Sequence, residues 1–148
     1  MVDQTTRDAS ALQNRARLLG YAGIIPFAAI AALMLTDKAS PQSLTSAMQA
    51  YAAVILTFVG AIHWGRAMES GNSRLMTLSV GPSLVAWSGM LLPPQYGLPL
   101  IAGAFVFVLA LDLRQYEEHI WFKRLRIQLT GAVSLLLVYG SAVSWENM

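Results

Sequence analysis

Between Arg74 and Asp112 the chain reads LMTLSVGPSLVAWSGMLLPPQYGLPLIAGAFVFVLAL, residues 75–111, without one formally charged side chain. A helix needs about 20 mostly apolar residues to cross about 30 Å of hydrocarbon, so this run is too long for one helix and suits two. Pro93-Pro94-Gln95-Tyr96-Gly97 divides it, because tandem prolines followed by glycine do not continue a helix and mark a tight turn. The reading is a pair of helices over about 75–92 and 98–113. The second is short, so a full crossing and a re-entrant hairpin both stay open for it.

Working outward, three more stretches between charges are long and apolar. They lie at about 18–36, 47–66 and 127–145. Only 12% of the 148 residues are charged and 55% are hydrophobic, half the charge that a water-soluble domain of ordinary composition carries. In lipid every backbone N–H and C=O must be paired internally, and continuous apolar runs do that as helices. A β-barrel requires short alternating segments, which are missing. The expected fold is therefore all-α: one integral membrane bundle of five transmembrane helices after a cytoplasmic tail at 1–17. The first helix has a basic flank, but its core is long for a signal peptide and contains Pro26, so it is read as retained.

The cations set the orientation. Arg7, Arg15 and Arg17 precede the first helix, Arg66 and Arg74 follow the second, and Arg114, Lys123, Arg124 and Arg126 lie between the fourth and fifth. Five crossings place these nine basic residues on one side and Lys38 on the other. The N-terminus is expected in the cytoplasm and the C-terminus in the periplasm of a bacterial inner membrane. A hairpin dipping from the cytoplasmic face would leave the Arg114–Arg126 cluster where it is. The segment 113–126 places Leu113, Tyr116 and Ile120 at helical spacing beside Trp121, Phe122 and three cations, which suggests a short interfacial helix between helices four and five.

Cysteine is absent, which excludes disulfide frameworks, thiolate catalysis and cysteine-ligated metals. No clustered basic face suggests nucleic acid. Neither a nucleophile–base set, a carboxylate dyad nor a phosphate loop is legible, so an enzyme, a resident cofactor and a metal site are not expected. Ionisable residues inside a bilayer are functional candidates because burying them is costly. The sharpest group is Gly60-Ala61-Ile62-His63-Trp64-Gly65-Arg66. His63 changes charge near neutral pH or satisfies a neighbouring helix. Trp64 stacks on a ligand or anchors at the headgroups, and Arg66 holds an anion or marks the cytoplasmic boundary. Asp112 ends helix four at the same depth, within reach of His63 or Arg66, or else faces the headgroups beside Arg114. Trp87 lies near mid-span, where packing inside the bundle is expected. Gly20, Gly23, Gly60 and Gly65 are candidates for close helix packing.

The strings Leu19-Gly20-Tyr21-Ala22-Gly23-Ile24-Ile25-Pro26-Phe27, Gly60-Ala61-Ile62-His63-Trp64-Gly65, Pro82-Ser83-Leu84-Val85-Ala86-Trp87 and Leu111-Asp112-Leu113 resemble, in that order, the small polytopic membrane family that includes mitochondrial transmembrane protein 69. The resemblance covers residues 18–145 and implies an inner-membrane protein of bacteria or the mitochondrial lineage. It transfers no activity and no residue roles. The expected function is non-enzymatic: an accessory or assembly subunit that packs against a larger respiratory or photosynthetic membrane complex, or against its own copies. A quinone- or lipid-binding protein using a His63/Trp64/Arg66/Asp112 pocket is the second reading, and a small transporter the third.

Overall fold

The computed structural model describes residues 2–36, 39–115 and 120–147. Among these residues there are six helices and no strand: α1 (Val2–Ala22), α2 (Ile25–Met34), α3 (Pro41–Ser70), α4 (Ser73–Met90), α5 (Pro94–Gln115) and α6 (Ile120–Glu146).

Local chemistry sets the boundaries. Pro26 brings no N–H to the ladder, and the chain breaks at Gly23-Ile24 before resuming as α2. The Tyr51 hydroxyl donates to the Gly23 carbonyl at that break (3.1 Å), which pairs a backbone group the interruption exposes. Ser40 caps α3 by accepting from the Ser43 amide, with Pro41 in the first turn. Gly71 closes α3 at φ 64°, a left-handed conformation that glycine adopts without a Cβ penalty. Asn72 then accepts from the amides of Arg74 and Leu75 to start α4. With so short a link, α3 and α4 form an antiparallel hairpin.

At the opposite end the Pro93 carbonyl accepts from the Tyr96 and Gly97 amides, both at 2.9 Å. α5 therefore starts at Pro94, earlier than the expected 98. Pro99 leaves the Gln95 carbonyl without its helical donor, and the Ser141 hydroxyl of α6 supplies one at 3.0 Å. Gln49 of α3 donates its side-chain amide to the Gly89 and Leu92 carbonyls at the end of α4. The turn end of the bundle is thus tied by neutral hydrogen bonds from α3 and α6.

Among the described residues four stretches are long and apolar enough to cross a membrane: Ser10–Met34, Pro41–Ser70, Pro94–Arg114 and Ile120–Glu146. The fourth expected helix, short by sequence, gains a first turn and reaches spanning length. α4, which holds the expected crossing at about 75–92, is not among these stretches; its 18 residues include Arg74, Thr77, Ser79, Ser83 and Ser88. Two expected boundaries also shift. Residues 2–17, read as a tail, are helical and continue into the first span. Residues 120–126, read as part of an interfacial helix, are the first turns of the unbroken α6, and residues 116–119 lie outside the described residues.

α1 and α2 together supply the first span, and α3 to α6 form the rest of the bundle. α3 is central and packs on α2, α4, α5 and α6. Its buried stripe Thr45, Gln49, Ala52, Leu56, Gly60, His63, Ala67 advances by three and four residues, the period that keeps one seam against neighbouring helices. α4 answers with small side chains at Ser79, Pro82, Ala86 and Gly89. A Cβ on Gly60 would lie 2.9 Å from Pro82, and one on Gly140 2.6 Å from the Met48 sulfur. Gly97 meets Gln49 and the Gly89 carbonyl even more closely, whereas nothing stands within 4 Å of a Cβ at Gly65. Gly65, expected at a packing face, is therefore on the open side of α3. Gly20 does pack, against Leu129, while Gly23 serves the break.

Gly97→Ala should destabilise the bundle by about 1–3 kcal/mol through overpacking. Gly65→Ala should be neutral or slightly stabilising, since alanine is the better helix former. Thermal unfolding of both variants in the same detergent checks this.

Candidate functional site

At the end of the bundle away from the proline turn, three helices bring ionisable side chains into its interior. His63 comes from α3, Asp112 from α5 and Arg126 from α6, at 1%, 3% and 7% exposure. The His63 Nε2 lies 3.3 Å from Asp112 Oδ1. The Arg126 Nε donates to Asp112 Oδ2. Each carboxylate oxygen thus faces a different helix, and Asp112 is the shared centre.

The position of each residue follows from its helix. His63 lies on the buried stripe of α3, one turn after Gly60. Asp112 lies one helical turn beyond the fully buried Val108. Arg126 lies two turns into α6, on the buried stripe Arg126, Thr130, Val133, Leu137, Ser141. A lone charge at such a place is expensive, but an oppositely charged partner with direct hydrogen bonding offsets that cost. The arrangement couples three helices electrostatically. It also provides a histidine beside a carboxylate, a pair able to hold or pass one proton.

Of the residues singled out in the sequence, His63 and Asp112 come together and three others stay apart from them. Trp64, the next residue after His63, turns to the outer surface of α3. Arg66 is half-buried, and the guanidinium that Asp112 holds belongs to Arg126 instead. Trp87, expected inside the bundle, is 63% exposed. It stands one residue past the buried Ala86, about 100° around α4, so it faces outward. Of the four residues read as one pocket, the structure joins His63 to Asp112 and turns Trp64 to the outer surface. Among the described residues no third His, Cys, Asp or Glu completes a metal-binding group around His63 and Asp112.

Arg126 was the residue that sequence reasoning misplaced, counting it with the cations of the loop. Its signal was available: Arg126, Thr130, Val133 and Leu137 follow helical spacing and mark one face. The partners of Gln49, Gln95 and Ser141 have no such signal, since uncharged polar residues within an apolar run carry no sign of what they pair with.

Next to the triad lies a cavity of about 340 Å³ between the α1–α2 break, α3 and α6. Its walls are apolar (Leu19, Ile24, Ile55, Val59, Phe105 and Leu129 among them), with Arg126 and Thr130 on the α6 side.

These features define an all-helical, multi-pass membrane protein with a buried ionic cluster. Residues 12–142 match the family described as "Protein of unknown function (DUF3429)", and the chain belongs to that family. It is 30% identical to Transmembrane protein 69 of Xenopus tropicalis, over 97% of this chain and 60% of that protein. It is 31% identical to Transmembrane protein 69 of Mus musculus, over 74% of this chain and 48% of that protein. The chain therefore spans between about half and three-fifths of these relatives. No solved structure matches it.

Asp112→Ala strands the Arg126 charge in the bundle and should cost about 3–5 kcal/mol. The paired neutral change Asp112→Asn with Arg126→Gln should cost clearly less than the two single changes summed. Unfolding free energies of the wild type, both singles and the double variant in detergent measure the coupling.

Proposed function

We propose that the protein is a non-enzymatic subunit of the bacterial inner membrane that crosses the bilayer five times and associates laterally with a larger membrane complex or with its own copies. What supports this reading most is the outward side of α4. This helix packs on α3 and α5, and its other side presents Thr77, Gly81, Leu84, Trp87 and Ser88. Acyl chains provide no hydrogen bonds, whereas small and hydroxyl-bearing residues are the material of helix–helix contacts in membranes. α4 is also the helix of the α3–α6 bundle that is not among the stretches apolar enough to cross a membrane by composition. The ionisable side chains of the triad are engaged with one another across three helices, which suits a structural clamp better than a catalytic centre.

The orientation with the N-terminus in the cytoplasm and the C-terminus in the periplasm draws on the cations. Arg15, Arg17, Arg66, Arg74, Arg114, Lys123 and Arg124 gather at the end of the bundle that holds the α3–α4 turn. Lys38 lies outside the described residues.

Two experiments test this reading. The chain has no cysteine, so single substitutions report cleanly. On intact spheroplasts an impermeant maleimide should label Ala39→Cys and Asn147→Cys, and should reach Asn72→Cys only after lysis. Labelling of Ala39→Cys and Asn72→Cys from the same side refutes five crossings. In a mild detergent, Trp87→Ala combined with Gly81→Leu should release the co-purifying partner or second copy, while Leu135→Ala on the exposed side of α6 should not. A wild-type chain that runs as a solitary monomer after gentle crosslinking in native membranes rules out the accessory role.

A further inference from the structure

The Arg126 guanidinium uses Nε on Asp112, but its Nη2 is buried without a hydrogen-bond partner among the described residues. A buried N–H donor left unpaired is costly, and native structures rarely leave one so. Arg126 also lines the 340 Å³ cavity, and the buried Thr130 adds a hydroxyl to the same wall. The remaining walls are almost wholly apolar. Leu19, Phe58 and Ile62 line the cavity too and are exposed, so it opens on the flank of the bundle, toward the acyl chains, between the α1–α2 break and α3. A volume of this size falls in the range of about 300–1,000 Å³ typical of small-molecule sites.

We propose that this cavity is a binding site for an amphipathic lipid that enters from the bilayer, lays its apolar part along Ile55, Val59, Phe105 and Leu129, and presents an acceptor oxygen to Nη2 of Arg126. The acceptor is a carboxylate or a carbonyl, which a fatty acid and a prenylated quinone both supply. Asp112 balances the charge on Arg126, so the site does not require an anion. Tyr51 supports the cavity from behind by holding the carbonyl of Gly23, which lines it. The site stands whether or not α4 recruits a partner, since the two lie on different faces of α3.

The test uses the full chain in detergent, incubated separately with oleic acid and with a short-tailed ubiquinone, and read by native mass spectrometry as the fraction carrying one adduct. A saturable single adduct with oleic acid alone identifies a carboxylate head, with the quinone alone a carbonyl head, and with both the shared acceptor chemistry. Each of these results supports the site. Ile62→Trp at the mouth should lower the affinity for whichever probe binds, with the unliganded thermal midpoint unchanged. The paired change Asp112→Asn with Arg126→Gln should weaken binding about tenfold, the order expected for one charge-assisted hydrogen bond. Leu135→Trp, an equally bulky change on a lipid-facing position away from the cavity, should leave binding intact. No saturable adduct with either probe, or adducts that Ile62→Trp leaves unchanged, would overturn the proposal.

Discussion

Asp112 is buried inside the protein, and the helices around it are arranged so that its charge is tolerable. Its two oxygens face His63 on α3 and Arg126 on α6, so three helices share a single carboxylate. Such a cluster adds little net stability compared with well-packed apolar side chains, but it penalises every arrangement that separates its members. In a lipid-embedded bundle, where burial of apolar surface does not distinguish one helix face from another, that penalty helps specify which faces meet.

The opposite end is specified differently. Gln49 pairs one carbonyl in the last turn of α4 and one just past its end, and Ser141 pairs the carbonyl that Pro99 leaves open. These groups are neutral and serve the backbone, where prolines and a tight turn interrupt helical pairing. Between the two polar ends the helices approach through small residues, with Gly60 against Pro82 and Gly140 against Met48. α1 and α2 stand apart from this scheme. They pack on α3 and α6 over short stretches, break at Gly23-Ile24, and leave the apolar cavity beneath that break. This cavity is also where Arg126 retains a donor without a partner among the described residues.

Much of the layout was legible from residue order. Charge-free gaps bounded by Arg17, Arg66, Arg74, Asp112 and Glu146 locate helices because ionised groups seldom sit in hydrocarbon, and Pro93–Gly97 locates a turn because proline and glycine end helices. Depth was legible for the same reason, which is how His63 and Asp112 were read at one level. The azimuth of a side chain was less so. Trp87 and Trp64 lie at informative depths but one residue off the buried stripes of α4 and α3, and that single step turns each of them outward. Gly65 lies two residues from both His63 and Ala67 on the buried stripe of α3, and it too faces outward. Arg126 was assigned to the loop because α6 was expected to begin after the last cation, whereas it begins at Ile120 and carries that cation inward.

Composition and the order of charges by themselves determined that this chain is an all-helical membrane protein, where its helices lie and which end gathers its cations. Those properties depend on the transfer of each residue between water and lipid, which acts position by position. Which cation neutralises Asp112, which tryptophans face outward and where a cavity remains were decided by the tertiary structure alone. They depend on the rotation of each helix against its neighbours, a quantity that many contacts set together and that no local stretch of residues encodes.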